Sequence, residues 1–128
     1  MSNTYCSVLL RLGLAIVFGL FGRDKLTHPE HWVVFLTPQV TRFFPFGPYE
    51  FLKFQGVAET LLATALLSGF MTRLASAAAA GLLVLIVVFL WPDPVAVRDV
   101  GLFFATLALI FAGPGKWSLD SLLAKAEK

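Results

Sequence analysis

The sequence predicts an all-α membrane protein, a bundle of four transmembrane helices with a long interfacial or re-entrant loop between the first two spans. Of its 128 residues, 58% are apolar and only 14% are charged, whereas roughly a quarter of the residues in a typical soluble domain are charged. The mean hydropathy is +0.81. The apolar residues fall into four runs, each close to the ~20 residues that cross about 30 Å of hydrocarbon.

The first predicted span covers residues 5–22 and contains one charge, Arg11. A cleaved secretory signal would begin with basic residues and end at a small-x-small site. Residues 1–7 hold no basic side chain, and no such site closes the run. We therefore expect this span to be retained.

The other three spans are joined by short connections. A tight turn separates residues 51–70 from residues 74–91, and Pro92 and Pro94 separate that third span from residues 95–112. Proline cannot continue a helix, and it restricts the residue before it. The last three spans are therefore predicted to run antiparallel to one another.

The two remaining segments are predicted to lie at the membrane surface. Residues 23–50 are rich in Phe and Pro, which is too apolar for a solvated linker, but their apolar stretches are too short to span. After Trp117, Ser118 is a candidate helix cap, and residues 118–127 have the pattern of a short amphipathic helix.

The orientation of the chain is less well determined by the sequence. Four spans place both termini on one side, but the Lys and Arg residues flanking the spans are equally numerous on the two sides. The basic tail and the free amino group favour a cytoplasmic location for the termini.

Composition excludes some classes of function. The formal net charge of +2 is too small to favour a nucleic-acid partner. Cys6 is the only cysteine, so the chain has no internal disulfide and cannot catalyse intramolecular thiol exchange. His28 and His31 have Asp24 and Glu30 nearby, but without Cys or a second His pair we expect no metal site.

Four charged residues fall inside or near the ends of the predicted spans: Arg11, Glu59, Arg98 and Asp99. A charge at the bilayer centre costs at least ~2.5 kcal/mol on a lipid-facing helix, so each should have an interior partner or a function. At 1.5 Å per residue, Glu59 lies roughly 12 Å deep and Arg98 roughly 5 Å deep from the same side, with Arg11 approaching from the opposite side. We therefore expect one buried polar cluster centred on Glu59. It is either a structural lock that fixes helix register or a ligand or proton site.

Aromatic residues near this cluster suggest a second feature. Trp32, Phe51, Phe54 and the amide of Gln55 could line a pocket for a ring such as a quinone. The alternative is an aromatic belt at the membrane interface.

Four stretches of the sequence resemble the DoxX family of small bacterial membrane proteins. They are RLGLAIVFGLFGRDKL, GVAETLLATALLSGFMTRLAS, VRDVGLFFATLAL and GPGKWSLD. The most specific positions are Arg11, Gly22, Lys25, Gly56, Glu59, Arg73, Arg98, Asp99 and the stretch from Gly113 to Asp120. The resemblance implies a four-helix protein of the bacterial inner membrane. It also implies a relationship to membrane components of oxidoreductases, including the small subunit of a thiosulfate:quinone oxidoreductase.

Two functions follow from this resemblance and from the polar cluster. The first is an accessory membrane subunit of a quinone-linked oxidoreductase, in which a separate soluble subunit supplies the redox centre. The second is a non-catalytic scaffold or assembly factor whose buried charges are structural. A carrier has less support because the spans lack the paired Pro or Gly breaks of many transporters. The Ala-rich stretch 75–80 offers a surface for close helix contact within the chain or in a homo-oligomer.

Overall fold

The computed structural model describes residues 3–128, and the regular elements of this part of the chain are all helices, which confirms the all-α prediction. The helices are α1 (Asn3–Thr27), α2 (Glu30–Val33), α3 (Pro38–Phe43), α4 (Pro48–Ser68), α5 (Thr72–Leu90), α6 (Pro94–Ala112) and α7 (Leu119–Ala126).

Helix α1 continues beyond the predicted end of the first span. It ends at Thr27, two residues before Pro29, rather than at Gly22. Gly22 lies inside the helix, and its missing side chain makes room for the neighbouring helix α4. As a result, Asp24 and Lys25 are helical residues and do not belong to a loop.

Helices α1 and α4 pack antiparallel, with their closest approach at two glycines. A Cβ at Gly22 would lie 2.9 Å from the Gly56 carbonyl oxygen, and a Cβ at Gly56 would lie 2.9 Å from the Gly22 oxygen. One turn away, a Cβ on Gly19 would lie 3.6 Å from Cβ of Ala63. Small residues allow this contact, as expected for helices that approach closely in a membrane.

Helices α5 and α6 complete the packing around a shared core. Leu14 and Phe18 of α1, Leu66 of α4, Leu83 of α5 and Leu109 of α6 are all at most 3% exposed. On α5 the small residues Ala75, Ser76, Ala79 and Ala80 are buried within the chain itself. These four residues of the Ala-rich stretch therefore pack within the chain, whereas Ala77 and Ala78 are exposed.

Residues 28–47 connect α1 to α4 and contain the two short helices α2 and α3. Aromatic contacts attach this connecting segment to three of the long helices. The ring centroids of Trp32 and Phe21 are 5.2 Å apart, those of Phe44 and Phe51 4.6 Å, and those of Phe43 and Phe89 6.1 Å. The connecting segment therefore packs over one end of the long helices.

Three of the described helices are long and apolar enough to cross a membrane: Thr4–Thr27, Thr72–Leu90 and Pro94–Ala112. Helix α4 is not among them, and it carries Lys53, Gln55 and Glu59. Large apolar side chains are exposed on the outer faces, for example Leu9 at 70% and Phe111 at 83%. Such surfaces are consistent with contact with a lipid bilayer.

Candidate functional site

A cavity of about 530 Å³ lies between the long helices at the end covered by the connecting segment. Its volume falls within the roughly 300–1,000 Å³ range of small-molecule sites. Its walls come from the C-terminal half of α1, the first half of α4, the end of α5 and the start of α6. The aromatic residues that line it are Phe18, Phe21, Trp32, Phe35, Phe43, Phe44, Phe51, Phe54 and Phe89.

The four residues that the sequence suggests as pocket lining all lie at this cavity: Trp32, Phe51, Phe54 and Gln55. Phe54 is also 70% exposed, so its ring forms the outer edge of the cavity. Trp32 reaches the cavity because Pro29 starts the short helix α2, which turns the chain back over α1.

An ion pair between Lys25 and Glu59 forms part of the polar wall. Lys25 Nζ lies 2.6 Å from Glu59 Oε1, and the two side chains are 6% and 3% exposed. The Lys25 ammonium also lies 4.5 Å from the centre of the Trp32 ring, a cation–π contact. The pair joins α1 to α4 close to the Gly22–Gly56 contact.

The second oxygen of Glu59 has no hydrogen-bond partner among the described residues. Gln55 Nε2 lies 3.4 Å from Oε1, the oxygen that already accepts from Lys25, whereas Oε2 is buried without a donor. A buried carboxylate oxygen without a donor is costly. A ligand hydroxyl or N–H group in the cavity would supply a donor once the Glu59 side chain turns, because Oε2 is inaccessible in the structure.

Arg98 and Asp99 also line the cavity, but they pair with each other. Arg98 donates from Nε to Asp99 Oδ1 at 2.8 Å, and its Nη2 lies 2.7 Å from the same oxygen. The Asp99 side chain is 2% exposed, whereas that of Arg98 is 41% exposed. The guanidinium carbon of Arg98 lies 4.6 Å from the centre of the Phe21 ring, which holds this pair against α1.

Arg11 does not join this group. Its Nη2 donates to the Trp117 carbonyl oxygen at 2.6 Å, next to Gly69 and Ser118. Arg11 lies 14 residues before Lys25 on α1, which is roughly 21 Å along a helix. The antiparallel register set at Gly22 and Gly56 places Arg11 level with the end of α4, so the structure separates it from Glu59.

The cation that the structure brings to Glu59 is Lys25, which lies outside the polar cluster expected from the sequence. The predicted end of the first span at Gly22 had placed Lys25 in a loop. The helical face that contains Arg11, Ala15 and Gly22 reaches Lys25 one turn later, at three- and four-residue spacing. That periodicity was the signal that could have identified it.

The arrangement combines an apolar, aromatic cavity with a hydrogen-bonding end. Lys25 carries three N–H donors, of which Glu59 uses one, and Glu59 offers one oxygen without a donor. Lys25 could therefore donate to a ligand carbonyl, and Glu59 Oε2 could accept from a ligand hydroxyl after the carboxylate turns towards the cavity.

Comparison with known protein families identifies the chain. A family model described as DoxX matches residues 7–91, about two thirds of the sequence. The chain belongs to the DoxX family. No curated protein and no solved structure gives a significant match.

The DoxX match covers α1 to α5, including both Lys25 and Glu59. It ends at Trp91, so Arg98, Asp99 and the tail stretch from Gly113 to Asp120 lie beyond it. Family membership and the apolar helices together identify this DoxX chain as a membrane protein.

Proposed function

We propose that this DoxX protein binds a quinone in the aromatic cavity and acts as the membrane subunit of a quinone-linked oxidoreductase system. The observation that carries the proposal is the buried Glu59 Oε2 without a donor, beside Lys25, at the polar wall of an otherwise apolar cavity. The cavity volume and its aromatic lining suit a planar ring with an apolar tail.

The polar groups fit both forms of such a ligand. Lys25 Nζ can donate to a quinone carbonyl oxygen, and Glu59 Oε2 can accept from the hydroxyl of the reduced form. A bound quinone would supply two-electron chemistry that the side chains lack. The role of Lys25 and Glu59 is to orient the ring and to hold the proton that each oxygen gains or loses, while a soluble partner subunit supplies the electrons.

The proposal includes α4 as a fourth membrane span. This helix lies antiparallel beside α1 from the Gly22–Gly56 contact to the level of Arg11 and Gly69. If α1 crosses the bilayer, α4 crosses the same layer with its polar residues Gln55 and Glu59 turned to the protein interior. We place the protein in the bacterial inner membrane with both termini in the cytoplasm.

Tryptophan fluorescence tests quinone binding directly. Trp32 lines the cavity, whereas Trp91 and Trp117 are 60% and 64% exposed outside it. In a W91F/W117F background, titration with a short-chain ubiquinone in detergent should quench the remaining Trp32 signal to saturation. Linear quenching without saturation would refute a defined site.

Substitutions at α4 then test which groups bind the ring. Glu59→Gln removes a charged acceptor, and a hydrogen bond to a charged group is worth about 1.5–3 kcal/mol, so binding should weaken about tenfold or more. Glu50→Gln, on the same helix but outside the cavity, serves as the matched control and should bind normally. Equal affinity of the two variants would contradict the assigned role of Glu59.

A non-catalytic scaffold or assembly factor is the second candidate. It is favoured by the link that the Lys25–Glu59 pair makes between α1 and α4. On this alternative, Glu59→Gln lowers the thermal stability of the protein in detergent, and Trp32 shows no saturable quenching by quinone in any variant.

A further inference from the structure

A second group of polar side chains lies outside the cavity, at the C-terminal end of α1. Asp24 and His28 are one helical turn apart, because the His28 backbone N–H donates to the Asp24 carbonyl oxygen at 2.7 Å. The chain then turns back, with the His31 N–H donating to the His28 carbonyl oxygen at 3.1 Å. This turn brings His31 over the same face as Asp24 and His28.

The distances within this group are close to those between ligands of a bound metal ion. Asp24 Oδ1 lies 3.6 Å from His28 Nδ1, Asp24 Oδ2 lies 3.2 Å from His31 Nδ1, and one ligand atom from each residue lies within 4.8 Å of the others. Ligands bound tetrahedrally at about 2.0–2.1 Å from a metal ion lie about 3.3–3.4 Å apart. The two distances are close to this value, but they are measured to different oxygens of Asp24, so a metal ion would be held either by both carboxylate oxygens or by one of them after the carboxylate turns.

The third separation, between the two imidazoles, requires one ring to turn, because an imidazole binds a metal ion in the plane of its ring and the two ring planes are only 10° from parallel. The imidazole rings are stacked with centroids 5.1 Å apart, and the two side chains are 56% and 58% exposed. His28 Nδ1 also lies 3.0 Å from Thr27 Oγ1, so metal binding at this nitrogen replaces one exposed hydrogen bond.

A neighbouring side chain already orients the carboxylate. Trp32 Nε1 donates to Asp24 Oδ2 at 2.7 Å, so the carboxylate is held by a group that is not itself a ligand. Hydrogen bonds of this kind to ligating carboxylates are typical of metal sites. The group therefore has both a set of ligands and a residue that positions one of them.

Contrary to the expectation from the sequence, we propose that Asp24, His28 and His31 bind a divalent transition-metal ion of the zinc type. Two imidazoles and one carboxylate suit Zn²⁺, Co²⁺, Ni²⁺ and Cu²⁺, whereas Mg²⁺ and Ca²⁺ prefer oxygen ligands alone. Three protein ligands leave a coordination position open to water or to an external ligand.

The site adjoins the cavity through Trp32. The Trp32 indole donates to Asp24 on one side, and its ring contacts the Lys25 ammonium on the other. A metal ion on Asp24 therefore changes the surroundings of Trp32, which gives a reporter within the protein. The proposal depends only on the three ligands, so it stands or fails independently of quinone binding.

The test measures binding of the metal alone to the full chain, purified in detergent without a polyhistidine tag and treated with a chelator. Isothermal titration with Zn²⁺ should give one equivalent, and titration with Co²⁺ should give visible absorption bands typical of nitrogen and oxygen ligands. Trp32 fluorescence in the W91F/W117F background should change over the same range of concentration.

Variants identify the ligands. Asp24→Asn, His28→Ala and His31→Ala should each weaken Zn²⁺ binding by at least about tenfold, since loss of even an outer-shell partner often costs 10–100-fold. Glu30→Gln is the matched control, because this exposed neighbouring carboxylate lies outside the group. If the H28A/H31A double variant binds Zn²⁺ as the parent chain does, or if Glu30→Gln weakens binding equally, the proposal is overturned. Circular dichroism checks that each variant remains folded.

Discussion

Lys25 and Glu59 are two buried side chains of opposite charge at the contact between α1 and α4. Each is stabilised by the other, since desolvation of an isolated charge costs several kcal/mol. Arg23, two residues before Lys25, is exposed. A cation on this turn of α1 is therefore buried or solvated according to the face of the helix on which it lies.

We predict that Lys25→Met destabilises the protein by about 3–5 kcal/mol, because it leaves Glu59 as an unpaired buried charge. The double variant K25M/E59L should recover most of that loss, since it removes both charges. The measurement is unfolding in detergent followed by circular dichroism. Arg23→Met is the matched control on the same turn, and a similar loss in the two single variants would argue against the pair.

At the scale of the element, the contact between α1 and α4 depends on two glycines. Gly22→Ala or Gly56→Ala would put a Cβ 2.9 Å from a backbone oxygen of the other helix. We expect each substitution to force the helices apart and to cost about 1–3 kcal/mol, as overpacking does elsewhere.

Gly13 on the same helix supplies the control for this prediction. Nothing lies within 4 Å of a Cβ at Gly13. The only effect expected of Gly13→Ala is therefore to reduce the conformational entropy that a glycine loses when the helix folds. It should be neutral or stabilising by up to about 1 kcal/mol in the same unfolding measurement. Destabilisation by Gly13→Ala as large as that by Gly22→Ala would show that helix packing is not the cause.

The N-terminus of α5 depends on a residue 48 positions later in the chain. Asp120 accepts from Met71 N at 2.7 Å and from Thr72 N at 2.8 Å, and its own backbone N–H donates to the Gly69 carbonyl oxygen at 3.0 Å. Gly69 adopts a left-handed conformation, with φ of 73°, at the end of α4. The stretch GPGKWSLD thus docks α7 against the turn between α4 and α5.

We expect Asp120→Ala to destabilise the protein by about 0.5–2 kcal/mol, the usual cost of losing a helix cap. Limited proteolysis should also release α7 more readily, because the same carboxylate attaches it. Glu127→Ala, at the exposed end of α7, is the control and should change neither property. Unchanged proteolysis of the Asp120 variant would show that the tail is held by other contacts.

At the scale of the whole molecule, the number of spans determines where the connecting segment and the C-terminus lie. Three helices qualify as spans by length and composition, and α4 is proposed as a fourth. Three spans between residue 39 and the C-terminus place these positions on opposite sides of the membrane, whereas two spans place them on the same side.

Cysteine labelling separates these topologies. In a C6S background, Gln39→Cys and Lys128→Cys provide single exposed thiols at the two positions. An impermeant maleimide should label Gln39→Cys and Lys128→Cys from opposite faces of oriented vesicles. Labelling of both from one face would show that α4 does not span. The face that labels Lys128→Cys also tests the cytoplasmic location of the termini.

The sequence by itself determined that the chain is a helical membrane protein, because hydropathy and periodicity are local properties of the chain. Glu59, Asp99 and Gln55 could also be assigned to the protein interior from the sequence. A polar side chain within an apolar span is costly when it faces lipid, so it is expected to face the other helices. Among the aromatic residues that line the cavity, Trp32, Phe51 and Phe54 were expected from the sequence, whereas Phe18, Phe21 and Phe89 of the long helices were not.

Only the tertiary structure decided which charges meet. The register of α1 against α4 is set by the Gly22–Gly56 contact, and that register pairs Glu59 with Lys25 while it carries Arg11 to the opposite end of α4. Depth counted along separate helices cannot show this, because the predicted end of α1 at Gly22 lies five residues before its observed end at Thr27, and an error of that size changes which residues are level with each other. The docking of Asp120 on α5 likewise depends on a turn that brings together residues 48 positions apart, and no periodicity in the sequence records it.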